Sequence, residues 1–528
     1  MIDRSPIPSP LLRRPHSLLN HSLLNHSLFR VALAVTALGS LAAPAPAQDG
    51  DRVFDYHQPT RQLVQRGMQA LMLCNGLFVS NRALEQIYTQ ELQYDWMPAV
   101  PPSQIVVDEA RRGVTVGLPG NGPVPAMRAV ERPGLGCVVL APDQDWDDID
   151  SLPRLDLAPA VGDVASKPWP AGDLVADEPL PAEIDRAALE AAADWAFDRD
   201  THGHPSQVTL SLLVVHDGRI VHEQYAPGVD ATTRTRTWST AKSIAVTLIG
   251  MLVEQGALAL DEPLGVEWLP RAPHAEADPR RAITLRDTLQ MSSGLEPVDN
   301  AGGCEVTGSC LSYWGGASSV EGALSRGLVR EPGVHWDYEN FDTLLAVYAM
   351  KRALVEGGDG NAYLQYPRKA LLDRIGMHST VPGVDRFGDY VLSSQIYTNA
   401  RDLARFGLLY LNRGVFEGER LISEEWVDFV RTPAPSTTER GRFYGAQFWL
   451  PPDDRDDVPP DAYSTAGNRG QYVVIVPSHD LVIVRRGLDW LPGSHGFSQW
   501  DLTSEVLKAF PKRPWGSKPP ISASASAP

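Results

Sequence analysis

The sequence predicts an α+β fold: an antiparallel sheet flanked by helices, built from both ends of its main domain around an inserted helical region, with a small mixed unit in front. Three observations predict it. Apolar runs at 209–217 and 219–226 flank Asp217-Gly218, a β-hairpin signal. Helical and loop patterns then fill roughly 239–430. Strand-like runs return at 443–450, 470–477 and 481–487, the last two joined by Ser478-His479-Asp480.

Taken in order, the first element is an export signal. Arg30, a short apolar run at 31–43 and Ala45-Pro46-Ala47 before Gln48 give a positive flank, an apolar segment and a small-x-small cleavage site, so residues 1–47 read as a signal peptide. That run is too short to span a bilayer, no later stretch approaches 18 apolar residues, and no Cys sits at the cleavage point to take a lipid. An exported, periplasmic or secreted protein without a membrane anchor is expected. Residues 48–183 follow as a small mixed region and linker. They hold a helical pattern at 61–74, apolar runs at 76–80, 113–118 and 136–142, and a stretch rich in Pro, Asp and Ala at 151–183 that suits a segment laid over a surface. The main domain spans 184–510 and opens with a helix over 185–198; the tail, 511–528, is low in complexity and reads as disordered.

Composition narrows the function. A chain of 528 residues with 43% hydrophobic and 21% charged side chains buries a full core in two or three domains. Its formal charge of -18 argues against sequence-independent binding to nucleic acid or an anionic membrane surface. The four Cys of an exported chain suit disulfides, and proximity pairs Cys74 with Cys137 and Cys304 with Cys310. There is no CxxC and no HExxH, and the His are scattered singly, so no metal and no cofactor is expected. Nothing in the sequence sets an oligomeric state.

Only seven of the 47 basic residues are Lys, and one of them stands out. Ser239 and Lys242 lie one turn apart at the start of a helix that runs to about Gly256 and is apolar nearly all round. Burial disfavours the ammonium, and the positive end of the helix adds to that, which leaves an amine able to deprotonate Ser239. On spacing alone the pair is equally a helix-start Ser with a snorkelling Lys. Two more segments bear on it. Tyr338 and Asn340 sit in a loop entering a helix, and Gly467-Asn468-Arg469-Gly470-Gln471 forms a Gly-bounded turn at the start of a strand. A Tyr beside a Lys can move protons, an Asn can orient an acyl amide, and strand-edge N–H groups can bind an oxyanion.

Ser-x-x-Lys, Tyr-x-Asn and a Gly-rich strand motif, in this order, resemble the serine β-lactamase and penicillin-binding-protein superfamily, above all class C β-lactamase-like esterases and 6-aminohexanoate-dimer hydrolases. The stretches 213–226, 283–295, 330–340, 397–414 and 470–487 carry the likeness, which covers about 184–510. It implies a β-lactamase/DD-peptidase-like fold with Ser239 as acylated nucleophile, Lys242 as base, Tyr338 as proton shuttle and Asn340 as a substrate contact. The N–H groups of Ser239 and Asn468 would form the oxyanion hole, and Arg469 and Gln471 would face substrate on the same turn. One departure bears on substrate. The family's Lys-Thr-Gly strand motif is absent, no Lys occurs between 369 and 508, and Arg469 is the one candidate to replace its contact with a substrate carboxylate. Small ester, linear amide or peptide substrates are therefore expected. The alternative is a penicillin-binding-like module, acylated by β-lactams or D-Ala-D-Ala peptides, with slow or no turnover.

Overall fold

The computed structural model of the protein describes residues 55–511, apart from 95–96, 119–122, 159–163, 272, 300–302, 357–359, 442 and 491–495. The expected signal peptide and, but for Pro511, the expected tail lie outside the described residues. No helix among the described residues is long and apolar enough to cross a membrane.

The helix Gln58–Cys74 buries Val64, Met68, Leu71 and Met72 against an antiparallel meander of β1 (Ile105–Asp108), β2 (Gly113–Val116), β3 (Met127–Arg132) and β4 (Gly136–Val139). The Cys74–Cys137 disulfide joins the end of the helix to β4, in the expected pairing. Met68, Leu71, Val114 and Met127 share one buried cluster with Trp238, Trp314, Phe341 and Leu344, so this unit and the region around Ser239 have a common core. Each such side chain contributes roughly 1.5–3 kcal/mol by leaving water, which makes the junction a strong one.

The chain then contributes β5 (Thr209–His216) and β6 (Arg219–Tyr225). Within the helical insertion it forms a small sheet from β7 (Thr235–Arg236), β8 (Val381–Pro382) and β9 (Ile396–Thr398), and a ribbon of β10 (Val415–Phe416) and β11 (Glu419–Arg420). It returns with β12 (Tyr463–Gly467), β13 (Gln471–Val476) and β14 (Leu481–Gly487). The main sheet has the order β12-β13-β14-β5-β6, antiparallel throughout. Asp217 and Gly218 both take positive φ, 47° and 75°, as a two-residue hairpin matching strand twist requires.

Both faces of β5, β13 and β14 are buried, which is why these strands read as continuous apolar runs. Successive side chains alternate between faces. Leu213, Val215, Val473, Ile475, Val482 and Val484 meet the core that holds helices Thr240–Glu254 and Ala400–Leu411. Leu212, Val214, Val474, Val476, Leu481 and Ile483 meet helices Arg186–Phe197 and Gln499–Leu507. The Pro-rich stretch after 151 runs across this body and is pinned there. Arg405 donates to the carbonyls of Pro170 and Gly172, and the Trp169 indole donates to Gly218.

One expected strand is corrected. Residues 443–450 form a bend with isolated bridges, Tyr444 to Trp449 and Trp449 to Ser464. Gln447 takes φ 59° there, and its side-chain amide donates to the carbonyls of Thr288 and Leu289 while accepting from Thr343. That buried plug turns the chain, and β12 takes the sheet edge instead.

Candidate active site

The helix Thr240–Glu254 is buried from Thr240 to Leu252 and ends where Gly256 takes φ 71°. Ser239 is its N-cap residue, yet its hydroxyl makes no capping bond, although capping is the usual use of a Ser at this position. The residue before it, Trp238, has φ 51°, a strained conformation for a bulky side chain. The helix start is tied to the sheet by Thr240, whose Oγ1 contacts Thr465 Oγ1 at 3.1 Å and the Gln471 carbonyl at 3.1 Å.

Lys242 is 1% exposed. Its Nζ lies 2.6 Å from Asn340 Oδ1, 2.7 Å from the Ser393 carbonyl and 3.3 Å from Ser239 Oγ. Burial pushes the ammonium down from 10.5 to about 7; Asp299 and Glu339 pull it back up, and Arg236 adds to the depression. The Asn340 amide orientation is fixed by its other end, since Nδ2 donates to Asp299 Oδ2 at 2.8 Å and to Ser309 Oγ at 3.0 Å, and a carboxylate can only accept. Asn340 Oδ1 and the Ser393 carbonyl are pure acceptors as well. A neutral amine has two N–H bonds and one lone pair. The two short contacts take both hydrogens and leave the lone pair to Ser239 Oγ.

Tyr338 has an edge on the cleft and is otherwise packed among Trp336, Tyr444 and Trp449. Its ring centre is 5.1 Å from Lys242 Nζ. Burial pushes the phenol well above its ordinary range, opposed in part by its hydrogen bond with Ser239. The group is therefore a protonated phenol at neutral pH, suited to passing a proton on rather than to acting as a standing phenolate base.

A cleft of about 360 Å³ opens over these groups, lined by Ser239, Tyr338, Asn340 and Asn468 among others. Four of the residues singled out in the sequence thus come together here, with Lys242 beneath them. The other two do not. Arg469 is 5% exposed and its guanidinium donates to the carbonyls of Asp489, Glu91, Gln90 and Leu488. Gln471 is 1% exposed, donates to the carbonyls of Arg469 and Gly487, and accepts from Arg486. Both side chains are consumed by the fold, which corrects the expectation that they face substrate.

Asp299, Ser309 and Ser393 carry no motif that marks them in the sequence. Asp299 lines the cleft and accepts from the Ser309 N–H and hydroxyl, both at 2.8 Å, so a chain runs Ser309–Asp299–Asn340–Lys242. Ser309 is held in a loop closed by the Cys304–Cys310 disulfide, again in the expected pairing. The short Cys spacing was the only sequence signal for this wall. Ser393 lies in a polar run before β9 with no distinguishing pattern.

The Beta-lactamase family model matches residues 197–485, more than half of the chain. A 6-aminohexanoate-dimer hydrolase of Paenarthrobacter ureafaciens is 24% identical over 292 residues, which span 52% of this chain and 72% of that protein. Among solved structures, a putative beta-lactamase from Bacteroides dorei is 19% identical with a TM-score of 0.48, covering 62% of this chain and 99% of the other. A family VIII carboxylesterase is 15% identical with a TM-score of 0.46, covering 62% and 98%. The match of the family model settles the kinship on its own: the chain belongs to the beta-lactamase family of hydrolases.

Proposed function

We propose that this protein is an exported serine hydrolase that cleaves neutral esters or linear amides through an acyl-enzyme on Ser239. The observation that carries the proposal is the arrangement at Lys242, where two obligate acceptors occupy the amine hydrogens and the remaining 3.3 Å contact is with Ser239 Oγ. The Lys242 amine takes the hydroxyl proton as Ser239 Oγ attacks the acyl carbon. Charge developing on the acyl oxygen meets the N–H groups of Ser239 and Asn468, neither of which is taken by a backbone carbonyl among the described residues. As the bond to the leaving group breaks, Tyr338 donates its phenolic proton to the departing oxygen or nitrogen and regains one from the Lys242 ammonium. Water then attacks the ester on Ser239 by the same transfers in reverse, releasing the acid.

Charge in the cleft supports the substrate class. Asp299 and Glu305 line it, Arg61 is paired with Glu305 at 3.0 Å, and Arg469 is held elsewhere. Among the described residues a carboxylate-bearing β-lactam or D-Ala-D-Ala peptide meets no unpaired cation lining the cleft, and losing a charge-assisted contact costs about 1.5–3 kcal/mol. Trp238, Tyr313 and Trp314 line the same cleft and suit an apolar acyl or alcohol portion. Two disulfides support export, since such bonds persist in oxidising compartments. The test compares kcat/KM for p-nitrophenyl butyrate, a butyryl anilide and nitrocefin in the wild type and in Ser239→Ala. The ester is expected to be turned over best, with all turnover lost in the variant. A higher value for nitrocefin would overturn the substrate assignment.

A further inference from the structure

We infer that Arg469 and the N-terminal segment Gln90–Tyr94 form a clamp that fixes the spacing of the two oxyanion-binding N–H groups, which makes Arg469 a positioning residue for hydrolysis. The inference rests on Ser239 being the nucleophile and assigns a role to a part of the chain outside the family match.

The two N–H groups belong to different segments, the β12–β13 turn for Asn468 and the approach to the nucleophile helix for Ser239. These segments pass very close to one another. A Cβ on Gly467 would lie 2.1 Å from the Thr237 carbonyl oxygen. Each N–H also has a strained neighbour: Arg469 follows Asn468 with φ 61°, and Trp238 precedes Ser239 with φ 51°. Such conformations cost of order 1–3 kcal/mol each and persist only where the surroundings hold them.

What holds both is the same short segment. Arg469 donates from Nη1 to the Glu91 carbonyl at 2.8 Å and from Nη2 to the Gln90 carbonyl at 2.9 Å. On its other side it donates from Nε to the Asp489 carbonyl at 2.9 Å and from Nη2 to the Leu488 carbonyl at 3.1 Å. These acceptors are all backbone carbonyls, so the fork joins two main-chain segments rather than making an ion pair. The buried Glu91 carboxylate is taken by Arg82. The guanidinium carbon then lies 4.6 Å from the Tyr94 ring centre, and that ring meets Trp238 edge-on at 6.3 Å. Trp238 is backed from within by Arg236, whose guanidinium carbon lies 3.9 Å from its ring centre. The path Asn468–Arg469–Tyr94–Trp238–Ser239 thus links the two N–H groups through side-chain contacts. A lysine cannot replace the fork, since an ammonium cannot span carbonyls on two segments in one plane.

The test uses the full-length protein with Arg469→Lys, Arg469→Gln, Tyr94→Leu and Tyr94→Phe, the last keeping the ring. Steady-state kinetics on p-nitrophenyl butyrate are measured together with the affinity for an alkyl boronic acid, which forms a tetrahedral adduct on the nucleophile. Expected for Arg469→Lys, Arg469→Gln and Tyr94→Leu is a fall of about 10- to 100-fold in kcat, KM within about twofold, and a matching loss of boronic acid affinity. The pH dependence of kcat should stay in place, because Lys242 is untouched, and Tyr94→Phe, which keeps the ring but loses the hydroxyl's hydrogen bond with Arg469, should fall between wild type and Tyr94→Leu. A merely structural role would lower the melting temperature and leave kcat of the folded protein alone. Folded Arg469→Lys and Tyr94→Leu with kcat within twofold of wild type would overturn the clamp. Tyr94→Leu keeps the test decisive if the Arg469 variants do not fold. A wild type that neither turns over ester nor binds boronic acid would instead remove the hydrolase reading itself.

Discussion

Replacing Lys242 with Met separates its ionisation from its packing. In the folded protein the amine is pushed down to about 7, while an unfolded chain holds it near 10.5. Between those values the unfolded state binds one more proton than the folded state, so this group makes wild-type stability rise with pH across about 7 to 10.5 and adds no slope below. The expected slope is about 1.4 kcal/mol per pH unit, amounting to about 4–5 kcal/mol over the window. Lys242→Met removes that slope. It also leaves Asn340 Oδ1 and the Ser393 carbonyl without their donor, at a cost of about 1–3 kcal/mol each that does not vary with pH. The pH dependence is thus cleaner than the absolute difference. Urea unfolding of both proteins at intervals from pH 6 to 10, followed by tryptophan fluorescence, gives the two curves. From pH 7 upward the wild type should gain on the Met variant by about 1.4 kcal/mol per pH unit, so that an advantage of the variant shrinks or its deficit grows. Parallel curves would mean that Lys242 stays charged in the fold and is not the base.

Asp299→Asn removes a charge that holds the Lys242 pKa up, so the acidic limb of the kcat/KM profile, expected near pH 7, should move to lower pH. An unmoved limb would mean that it does not report Lys242. Tyr338→Phe should lower kcat by about 10²- to 10⁴-fold while the fold is kept, and pre-steady-state measurements should place the loss in leaving-group expulsion. Replacing Cys304 and Cys310 together with Ser should lower stability by about 2–3 kcal/mol and reduce turnover as well, because the loop carries Ser309 and through it Asp299 and Asn340. Unchanged kcat would show that the loop does not position the base.

The central strands of the main sheet are legible because both of their faces are buried: β5, β13 and β14 are long apolar runs, and Asp217-Gly218 marks the hairpin. β12 was harder, since Tyr463–Gly467 is short and mixed in polarity, and the stronger apolar run before it bends around the Gln447 amide. The Ser239–Lys242 pair was legible from one helical turn in an apolar helix. The burial of Arg469 cannot be read from its motif, for a physical reason. Its position beside Asn468 is local, but the fate of its guanidinium is set by carbonyls nearly 380 residues away in sequence, which no motif reveals. Asp299 escaped for the same cause, because its partners Ser309 and Asn340 converge only in the fold.

Everything proposed for this site requires Ser239 to be the group that becomes acylated. Incubating the purified protein with a fluorophosphonate and reading the intact mass, followed by peptide mapping, tests it most directly. One adduct per chain is expected, located on Ser239, formed faster as pH rises through about 7, and absent from Ser239→Ala. An adduct on another residue, or one that persists in Ser239→Ala, would contradict it.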